Sequence, residues 1–567
     1  MTYRFVRSVM LAILVGGALT VGPAAANGSA GPYLAARNAQ ISNDFQAAAT
    51  YFSRALTRDP SNSDLMESAI LAYVGQGDIK RAIAVSRRLA GLNKSNQVAN
   101  MLLLADAVQN EGYDAALALL KSGELVGPLV DGLTLAWVQV GQGNMTAALA
   151  TFDKVAAGQG TQAFGLYHKA LALAMAGDLE GAEAILSGQT GTSIAPTRRG
   201  IIAQSEILSQ LERNADALTL IDTVFGAQLD PGLRQMRARL DAGETLPLNS
   251  IQSASDGLAE VFFSVANALS GEANDGYTLV YTRVAEYLRP DLRDSILMTA
   301  GLLEKLGRYE LATAAYDRIP RDDPAFQAAE LGRAEALRMA GNTDAAIEVL
   351  RQLSESHAEQ PAVHVALGDI YRRLSRFEES SQAYDRALAI YGDTQEAPWS
   401  LYYLRGITNE RLDRWPLAEA DFRKALELRP EQPQVLNYLG YSLVELQIKL
   451  DEALDMIERA VEARPNDGYI TDSLGWVLYR LGRYEEAVGQ MERAAELTPV
   501  DPVINDHLGD VYWAVGRKRE ARFQWLRAMS FEPEEEDAAR IRRKLEVGLD
   551  VVLEEEGAAP IAFANDG

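Results

Sequence analysis

Apolar side chains recur along this chain in short stripes with helical spacing, and polar turns separate the stripes. The clearest pair of stripes lies in residues 469–499 and consists of Leu474, Leu478 and Leu481, followed by Ala487, Met491 and Ala494. Apolar residues three or four positions apart line one face of an α-helix. Each such segment therefore predicts two amphipathic helices joined by a turn, and Gly482 is placed to end the first helix.

The pair of stripes repeats every 34 residues. Pro465, Pro499 and Pro533 mark this period, and Gly475 matches Gly509 between them. A 34-residue period of helical hairpins with small residues at fixed offsets is typical of tetratricopeptide repeats, and the chain resembles that family. One hairpin cannot bury its own apolar face, so successive units must stack. Within a unit, we expect Gly475 to face Ala487 and let the two helix backbones approach each other.

The repeat divides the chain into predicted segments. Residues 293–535 form a regular array of seven repeats, and residues 27–231 form a degenerate array of six. Residues 232–292 fit the repeat poorly, and we predict a divergent helical pair there with a hinge at 240–256. The predicted fold is all-α, a tetratricopeptide α-α superhelix (solenoid) of about 13–14 helical hairpins.

The C-terminal segment predicts a helix that closes the array. An apolar residue recurs every four positions at Ile541, Leu545, Leu549 and Leu553, and the opposite side is charged. A terminal repeat needs such a cover for its exposed apolar face. We therefore predict a capping helix over 536–556 and a disordered tail over 557–567.

The first residues have the pattern of an export signal. Arg4 and Arg7 precede the apolar run 9–21, and small residues follow up to Ala26. This pattern predicts a signal peptide over 1–26 with cleavage after Ala26 and a periplasmic protein. The apolar run is shorter than the roughly 20 residues of a membrane-spanning helix, so an uncleaved anchor is the weaker alternative. No later stretch is apolar enough to cross a membrane, which leaves peripheral association with a membrane open.

Composition narrows the classes of partner. The chain has no cysteine, which excludes disulfides, thiolate metal sites and a lipidated cysteine after the leader. The formal net charge is −24, and most of the excess acid lies in residues 251–567. An acidic surface disfavours nucleic acid and favours basic or neutral partners.

The search for catalytic chemistry finds no motif. The four histidines lack metal-ligand spacing, and neither a nucleophile elbow nor a phosphate-binding loop occurs. We interpret His168, His357, His364 and His507 as surface or packing residues. The prediction is a protein without catalysis, metal or cofactor, because the predicted repeats occupy nearly all of the exported chain.

Function is then expected in the groove formed by the first helices of the repeats. The resemblance implies that the second, fifth, ninth, twelfth and thirteenth residues of each unit face this groove. We select eight of them as the partner-binding residues and call them the groove strip: Asn437, Tyr441, Asp472, Trp476, Tyr479, Asp506, Asp510 and Trp513. For Trp476 and Trp513, packing within the fold and binding of a partner stay equally open. The acidic members disfavour a clamp for a peptide carboxylate, whereas Arg372 and Arg405 leave an acidic tail open further up the array.

The C-terminal half supports a closer resemblance. The runs YLGYSLVE, GYITDSLGWVLYRLGRYEEAV and INDHLGDVYWAVGRKREARFQWLRA resemble exported tetratricopeptide proteins of Gram-negative bacteria. Some of these are outer-membrane lipoproteins that act as adaptors, which implies a carboxy-terminal processing protease or cell-wall hydrolases as partners. This chain departs from them by lacking the lipidated cysteine. The predicted function is a non-catalytic scaffold that binds proteins in its groove. The alternative is a structural component of an envelope assembly, for polysaccharide export or attached to peptidoglycan.

Overall fold

The described part of the chain consists of α-helices joined by turns. The computed structural model describes residues 30–123, 125–189, 191, 194–226, 229–392, 397–558 and 561. No strand occurs among these residues, and the all-α prediction is confirmed. The predicted signal peptide lies outside the described residues. The chain divides into two compact units, residues 1–349 and 350–567.

The N-terminal unit begins with hairpins of short helices. Its helices are α1 (Ala30–Ile41), α2 (Phe45–Arg58), α3 (Ser63–Gln76), α4 (Ile79–Gly91), α5 (Gln97–Asp106, continued by a π-helical turn over Ala107–Glu111), α6 (Tyr113–Lys121), α7 (Pro128–Gly141), α8 (Met145–Ala156), α9 (Gln162–Met175), α10 (Leu179–Leu186), α11 (Arg198–Gln210), α12 (Asn214–Phe225), α13 (Pro231–Asp241), α14 (Ala254–Leu269), α15 (Asp275–Leu288), α16 (Arg293–Lys305), α17 (Tyr309–Tyr316), α18 (Phe326–Met339) and α19 (Thr343–Ser356), which crosses the division between the units.

The helices of this unit pack mainly against their neighbours in sequence, with one exception. Helices α1–α12 form six successive hairpins, in the region where six degenerate repeats are predicted. The hairpin α14–α15 instead returns to the first helices of earlier hairpins: α14 packs against α7 and α9, and α15 packs against α3 and α5. The core therefore contains Trp137 of α7 beside the backbone of Gly257 in α14, where a Cβ atom would lie 2.2 Å from the indole.

The predicted hinge region is fastened to this unit. Residues 242–253 are not helical, and Leu246 and Ile251 are buried. The backbone N–H of Ser250 donates to Glu206 at 2.9 Å, and Arg289 donates to the Ser250 carbonyl at 3.1 Å. Motion at this segment stays a prediction, while the contacts place it inside the N-terminal unit.

The C-terminal unit contains the most regular hairpins. After the last part of α19, its helices are α20 (Pro361–Arg373), α21 (Phe377–Tyr391), α22 (Trp399–Glu410), α23 (Trp415–Leu428), α24 (Pro433–Glu445), α25 (Leu450–Ala463), α26 (Gly468–Arg480), α27 (Tyr484–Leu497), α28 (Pro502–Ala514), α29 (Lys518–Met529), α30 (Glu535–Val547) and α31 (Leu549–Glu555). Helices α20–α29 pair as five hairpins, and each hairpin packs against the next.

A glycine in each first helix receives a large side chain from the second helix. The pairs are Gly368 with Tyr384, Gly406 with Phe422, Gly440 with Ile457, Gly475 with Met491, and Gly509 with Trp525. This corrects the expectation that Gly475 faces Ala487, because a Cβ on Gly475 would lie 2.7 Å from the Met491 side chain. The glycine makes room for a large residue and not for a second small one. The two helices of a hairpin are therefore joined by a large side chain that packs against the glycine backbone.

The C-terminal cap is two helices and not one. Gly548 separates α30 from α31 with a φ of 92°, a conformation that glycine adopts without strain. Ile541 and Leu549 are buried, and Leu545 and Leu553 are partly buried against the same core. In the segment 557–567, Ile561 is also buried in this core, and the disordered tail stays a prediction.

Candidate functional site

The groove strip lies on three first helices, α24, α26 and α28, which pack side by side. Asp472, Trp476, Asp510 and Trp513 are buried, and the other four residues of the strip are half-buried. The exposed fractions of Trp476 and Trp513 are 6% and 7%. The strip is therefore a covered surface, and what covers its C-terminal part is the chain's own C-terminal segment.

Lys544 of α30 is the centre of this contact. Its ammonium group lies 2.7 Å from Asp506 and 2.7 Å from both carboxylate oxygens of Asp510, and the side chain is fully buried. Asp510 also accepts a hydrogen bond from the indole N–H of Trp525 at 2.9 Å. Burial raises the pKa of Asp506, and the neighbouring Lys544 acts in the opposite direction. The lysine thus supplies the positive charge that two buried carboxylates need.

Arg540 lies one helical turn before Lys544 and reaches the same carboxylates. Its guanidinium is 3.5 Å from Asp510 and 4.0 Å from Asp506, and it donates to Glu556 of the chain's end at 2.8 Å. Two cations four residues apart on α30 therefore face two acids four residues apart on α28. Residues at this spacing lie on the same face of a helix, so the two helices present matched rows of opposite charge.

A second cluster joins α26 to α28 through stacked rings. The Trp476 indole stacks on His507 with ring centroids 3.9 Å apart and on Tyr479 at 4.8 Å. His507 also lies 3.1 Å from Asp472. Burial alone lowers the pKa of His507, but the carboxylates of Asp472, Asp506 and Asp510 outweigh it, so the net shift is upward. The Trp476 N–H donates to Glu445 of α24 at 2.6 Å.

Trp513 is held between the cap and its own hairpin. A Cβ on Gly548 would lie 2.7 Å from the Trp513 ring, so only glycine fits at the break between α30 and α31. The ring lies 5.3 Å from Trp525, and the Lys518 ammonium lies 4.5 Å above it. The indole N–H is buried and has no hydrogen-bond partner among the residues that the structure describes. Trp476 and Trp513 thus pack within the fold, and their binding of a partner stays a prediction.

The N-terminal end of the strip is made by Asn437 and Tyr441 of α24. The side-chain carbonyl oxygen of Asn437 is buried and accepts no hydrogen bond from another described residue. Burial, followed by the nearby carboxylates of Glu445 and Asp472, raises the pKa of Tyr441 well above its usual range. This end presents polar atoms whose hydrogen-bonding capacity is not used up within the described residues.

The basic region further up the array is largely neutralised. Arg405 donates to Asp421 at 2.9 Å and to Asp385 at 2.7 Å. The Arg372 guanidinium lies 3.9 Å from Asp369. Because these cations already have carboxylate partners, an acidic peptide tail would have to displace those carboxylates.

Sequence reasoning selected the acids and rings of the strip but missed their partners. Lys544, Arg540 and His507 complete the charge balance of the site, and His507 was interpreted only as a surface or packing residue. The signal was present in the four-residue spacing of Arg540 and Lys544, which repeats that of Asp506 and Asp510. Binding of a partner by the strip stays a prediction.

Two general features bear on function. Among the described helices, none is long and apolar enough to cross a membrane. Over the same part of the chain, no three histidine, aspartate or glutamate side chains come together as metal ligands do.

Comparison with known proteins gives a consistent assignment. Models of the tetratricopeptide repeat match residues 33–96, 163–187, 297–361, 359–431, 403–468 and 447–502, which together make up more than half of the chain. A curated relative, the TPR repeat-containing protein PA4667 of Pseudomonas aeruginosa, is 28% identical over 162 residues. That match covers 28% of this chain and 26% of the relative, so the chain spans about a quarter of the relative's length.

Two solved structures are among those to which the chain is similar. A tetratricopeptide repeat protein from Parabacteroides merdae is 16% identical, covers 45% of this chain and 98% of its own, and has a TM-score of 0.37. The Cut9–Hcn1 hetero-tetramer of the APC/C contains a chain that is 15% identical, covers 92% of this chain and 97% of its own, and has a TM-score of 0.37.

Proposed function

The chain belongs to the tetratricopeptide repeat family, whose members bind protein partners, and we propose that this member is a non-catalytic adaptor of the Gram-negative cell envelope. Residues 1–26 direct it to the periplasm, and the groove of residues 399–535 binds the partner proteins. The family fold is that of an interaction scaffold. A carboxy-terminal processing protease or a cell-wall hydrolase is the proposed class of partner.

One observation carries the choice of surface. The acidic and aromatic groove strip already holds a helix, α30, through two cations one turn apart, Arg540 and Lys544. A surface that recognises this pattern within the chain suits a partner segment with the same chemistry, namely a helix with two basic residues four positions apart and an apolar side. The acid excess of the chain favours the approach of such a segment.

The N-terminal end of the strip offers a partner its first contact. Tyr469 of α26 is 60% exposed. A partner that binds at this end can extend toward Asp506 and Asp510 by competing with α30. Adaptor function then depends on the exchange of one basic helix for another.

The experiment is site-specific photocrosslinking in the native envelope. A photoreactive phenylalanine analogue replaces Tyr469 or Val503, which are exposed at the N-terminal ends of α26 and α28. The matched control positions are Phe523 and Leu526 of α29, which are 63% and 59% exposed on the second helix of the last hairpin. We expect a discrete adduct with an envelope protease or hydrolase from the groove positions and none from α29.

Two outcomes would contradict the proposal. Equal adducts from α26 and α29 would mean that the groove has no special role. Absence of adducts, together with sedimentation of the chain with isolated cell-wall sacculi, would favour the structural component of an envelope assembly instead.

A further inference from the structure

The N-terminal unit contains a cavity that the groove strip does not involve. It has a volume of about 670 Å³ and lies between α9, α11, α12 and α14. Ligand pockets in proteins commonly have volumes of about 300–1,000 Å³ and mainly apolar walls. The walls here are formed by Phe164, Leu186, Ile194, Ile201, Leu220 and Phe263. The cavity exists because α14 returns to pack against the first helices of the earlier repeats.

The charged groups at the cavity neutralise one another. Arg199 donates from Nε to both oxygens of Glu260 at 2.9 Å and from a terminal nitrogen to Asp294 at 2.7 Å. Arg198 pairs with Asp230 and Asp294. Among the described residues, a charged ligand would find no free counter-ion here, and it would lose its hydration without compensation. The cavity therefore suits an uncharged ligand.

Tyr167 contributes a ring to the wall and closes the same network. Its hydroxyl donates to Glu260 at 2.9 Å, and burial, followed by the charge of Glu260, raises the pKa of Tyr167 well above its usual range. The phenol stays neutral at physiological pH as a result. Its aromatic face adds to the apolar lining without adding a charge.

Gln204 supplies a polar group that has capacity to spare. The side chain lines the cavity with 8% of its surface exposed, and no hydrogen bond joins its carboxamide to another described residue. A carboxamide offers a donor and an acceptor side by side. This arrangement matches one peptide group, which also presents an N–H and a C=O.

We propose that this cavity binds an uncharged, apolar segment of a polypeptide, with its side chains against Phe164 and Phe263 and one backbone amide on Gln204. The site is separate from the groove strip and gives the N-terminal repeats a binding role of their own. The inference rests on the proposed function only in taking a polypeptide as the ligand.

The first test uses the purified full chain. N-phenyl-1-naphthylamine, an uncharged dye that fluoresces in apolar surroundings, reports occupancy of the cavity. The tripeptide N-acetyl-Leu-Phe-Val-amide is expected to displace the dye. The same peptide with lysine or glutamate in the central position is expected to compete at least tenfold less well, because the cavity has no unpaired charge.

Variants at the mouth locate the binding. Ala268 of α14 is exposed where it lines the cavity, so Ala268→Trp fills the opening without disturbing a core. Ala215 of α12 is also exposed but does not line the cavity, so Ala215→Trp is the matched control. We expect Ala268→Trp to weaken dye and peptide binding at least tenfold and Ala215→Trp to leave both unchanged.

Gln204→Leu separates the polar contact from the apolar one. The variant is expected to retain dye binding and to bind the peptide about five- to tenfold more weakly, as loss of one net hydrogen bond implies. A wild-type chain that does not bind the dye would overturn the proposal, as would equal binding by the two tryptophan variants. Displacement by dodecanol but not by the peptide would indicate a lipid ligand and would also overturn it.

The outcome is independent of the groove strip. A chain that binds the peptide in the cavity but gives no crosslinked partner from α26 would contradict the adaptor function and leave this inference standing. A chain that gives a crosslinked partner from α26 but does not bind the peptide would contradict only the proposed binding in the cavity.

Discussion

At the scale of single residues, two buried histidines have opposite electrostatic surroundings. His168 accepts a hydrogen bond from the Trp137 indole at 3.1 Å, and burial lowers its pKa from 6.5 to about 4. His507 lies against Asp472, and the surrounding acids raise its pKa despite burial. The same residue type is therefore neutral in one unit and favours the protonated form in the other.

His168 makes the N-terminal unit sensitive to acid. Because its folded pKa is lower than its unfolded pKa, its neutral form stabilises the fold above about pH 6.5, and that stability is lost as the pH falls toward 4. The loss amounts to about 3 kcal/mol at most. His168→Gln keeps an acceptor for Trp137 and is expected to flatten this part of the profile. Urea unfolding of the wild type and the variant at several pH values measures the free energy of unfolding of each. If the two free energies changed in parallel with pH, the role of His168 would be contradicted.

His507 has the reverse effect on the C-terminal unit. Because its folded pKa is raised, its stabilising charge is fully present below the unfolded value of about 6.5, and it is lost as the pH rises through the folded value. Protection of the α26 and α28 amides from hydrogen exchange, corrected for the intrinsic exchange rate, should therefore fall on the alkaline side in the wild type. It should change less with pH in His507→Gln. His357→Gln, at a half-buried position outside the cluster, serves as the control and should behave like the wild type.

At the scale of elements, the first helix of a hairpin accepts one large side chain on a glycine. Gly406 is typical, because a Cβ there would lie 2.6 Å from the Phe422 ring. A Cβ on Gly489 of α27, a second helix, would instead lie in open space. The two glycines thus separate the effect of packing from the effect of helix propensity.

Gly406→Ala is expected to destabilise the C-terminal unit by about 1–3 kcal/mol, because the ring of Phe422 must move out of a packed position. Gly489→Ala should instead stabilise it by up to about 1 kcal/mol, because alanine is the better helix former. Chemical denaturation followed by circular dichroism measures both. If both substitutions changed stability in the same direction, the close approach of Phe422 to Gly406 would not control the fold.

The cap depends on one buried charge. Lys544→Met leaves Asp506 and Asp510 without their closest cation, and loss of one partner of a buried ion pair costs about 3–5 kcal/mol. Arg542→Met on the same helix removes only an exposed pair with Glu535 and should cost less than about 1 kcal/mol. Hydrogen exchange should show α30 released in the first variant and protected in the second. Equal protection would mean that apolar contacts alone hold the cap.

At the scale of the whole molecule, the proposed location follows from the leader. If residues 1–26 are removed on export, the mature chain begins at Asn27 in the periplasmic fraction. Replacing both Ala24 and Ala26 by aspartate removes the small residues that signal peptidase needs, so a longer precursor should accumulate. N-terminal sequencing of the chain released by osmotic shock distinguishes the mature N-terminus at Asn27 from that of the precursor. A wild-type chain recovered only from the cytoplasm would contradict the proposal.

The sequence predicts the hairpins well, but it predicts less well the contacts that they make with other helices. The 34-residue period places α20–α29, because each repeat carries its own glycine and its own large residue at local distances in the chain. It does not place α14 against α7, because the spacing of these two helices follows no repeat. Lys544 lies one period of 34 residues after Asp510, but the period does not show that its ammonium group reaches the carboxylates of Asp506 and Asp510. Offsets copied from a repeat likewise cannot tell whether Trp476 and Trp513 face solvent or a covering helix.

The amino-acid sequence by itself determined the all-α class, the stacking of hairpins and the acidic and aromatic character of the groove strip, since periodicity and local spacing encode these properties. Only the tertiary structure decided that α30 covers the C-terminal part of the strip and that α14 borders a cavity in the N-terminal unit. The first result depends on a terminal helix that packs onto the last hairpin, and the second on a divergent helix that returns to distant repeats. The pairing of their side chains depends on three-dimensional proximity, which the hydrophobic period of the chain does not specify.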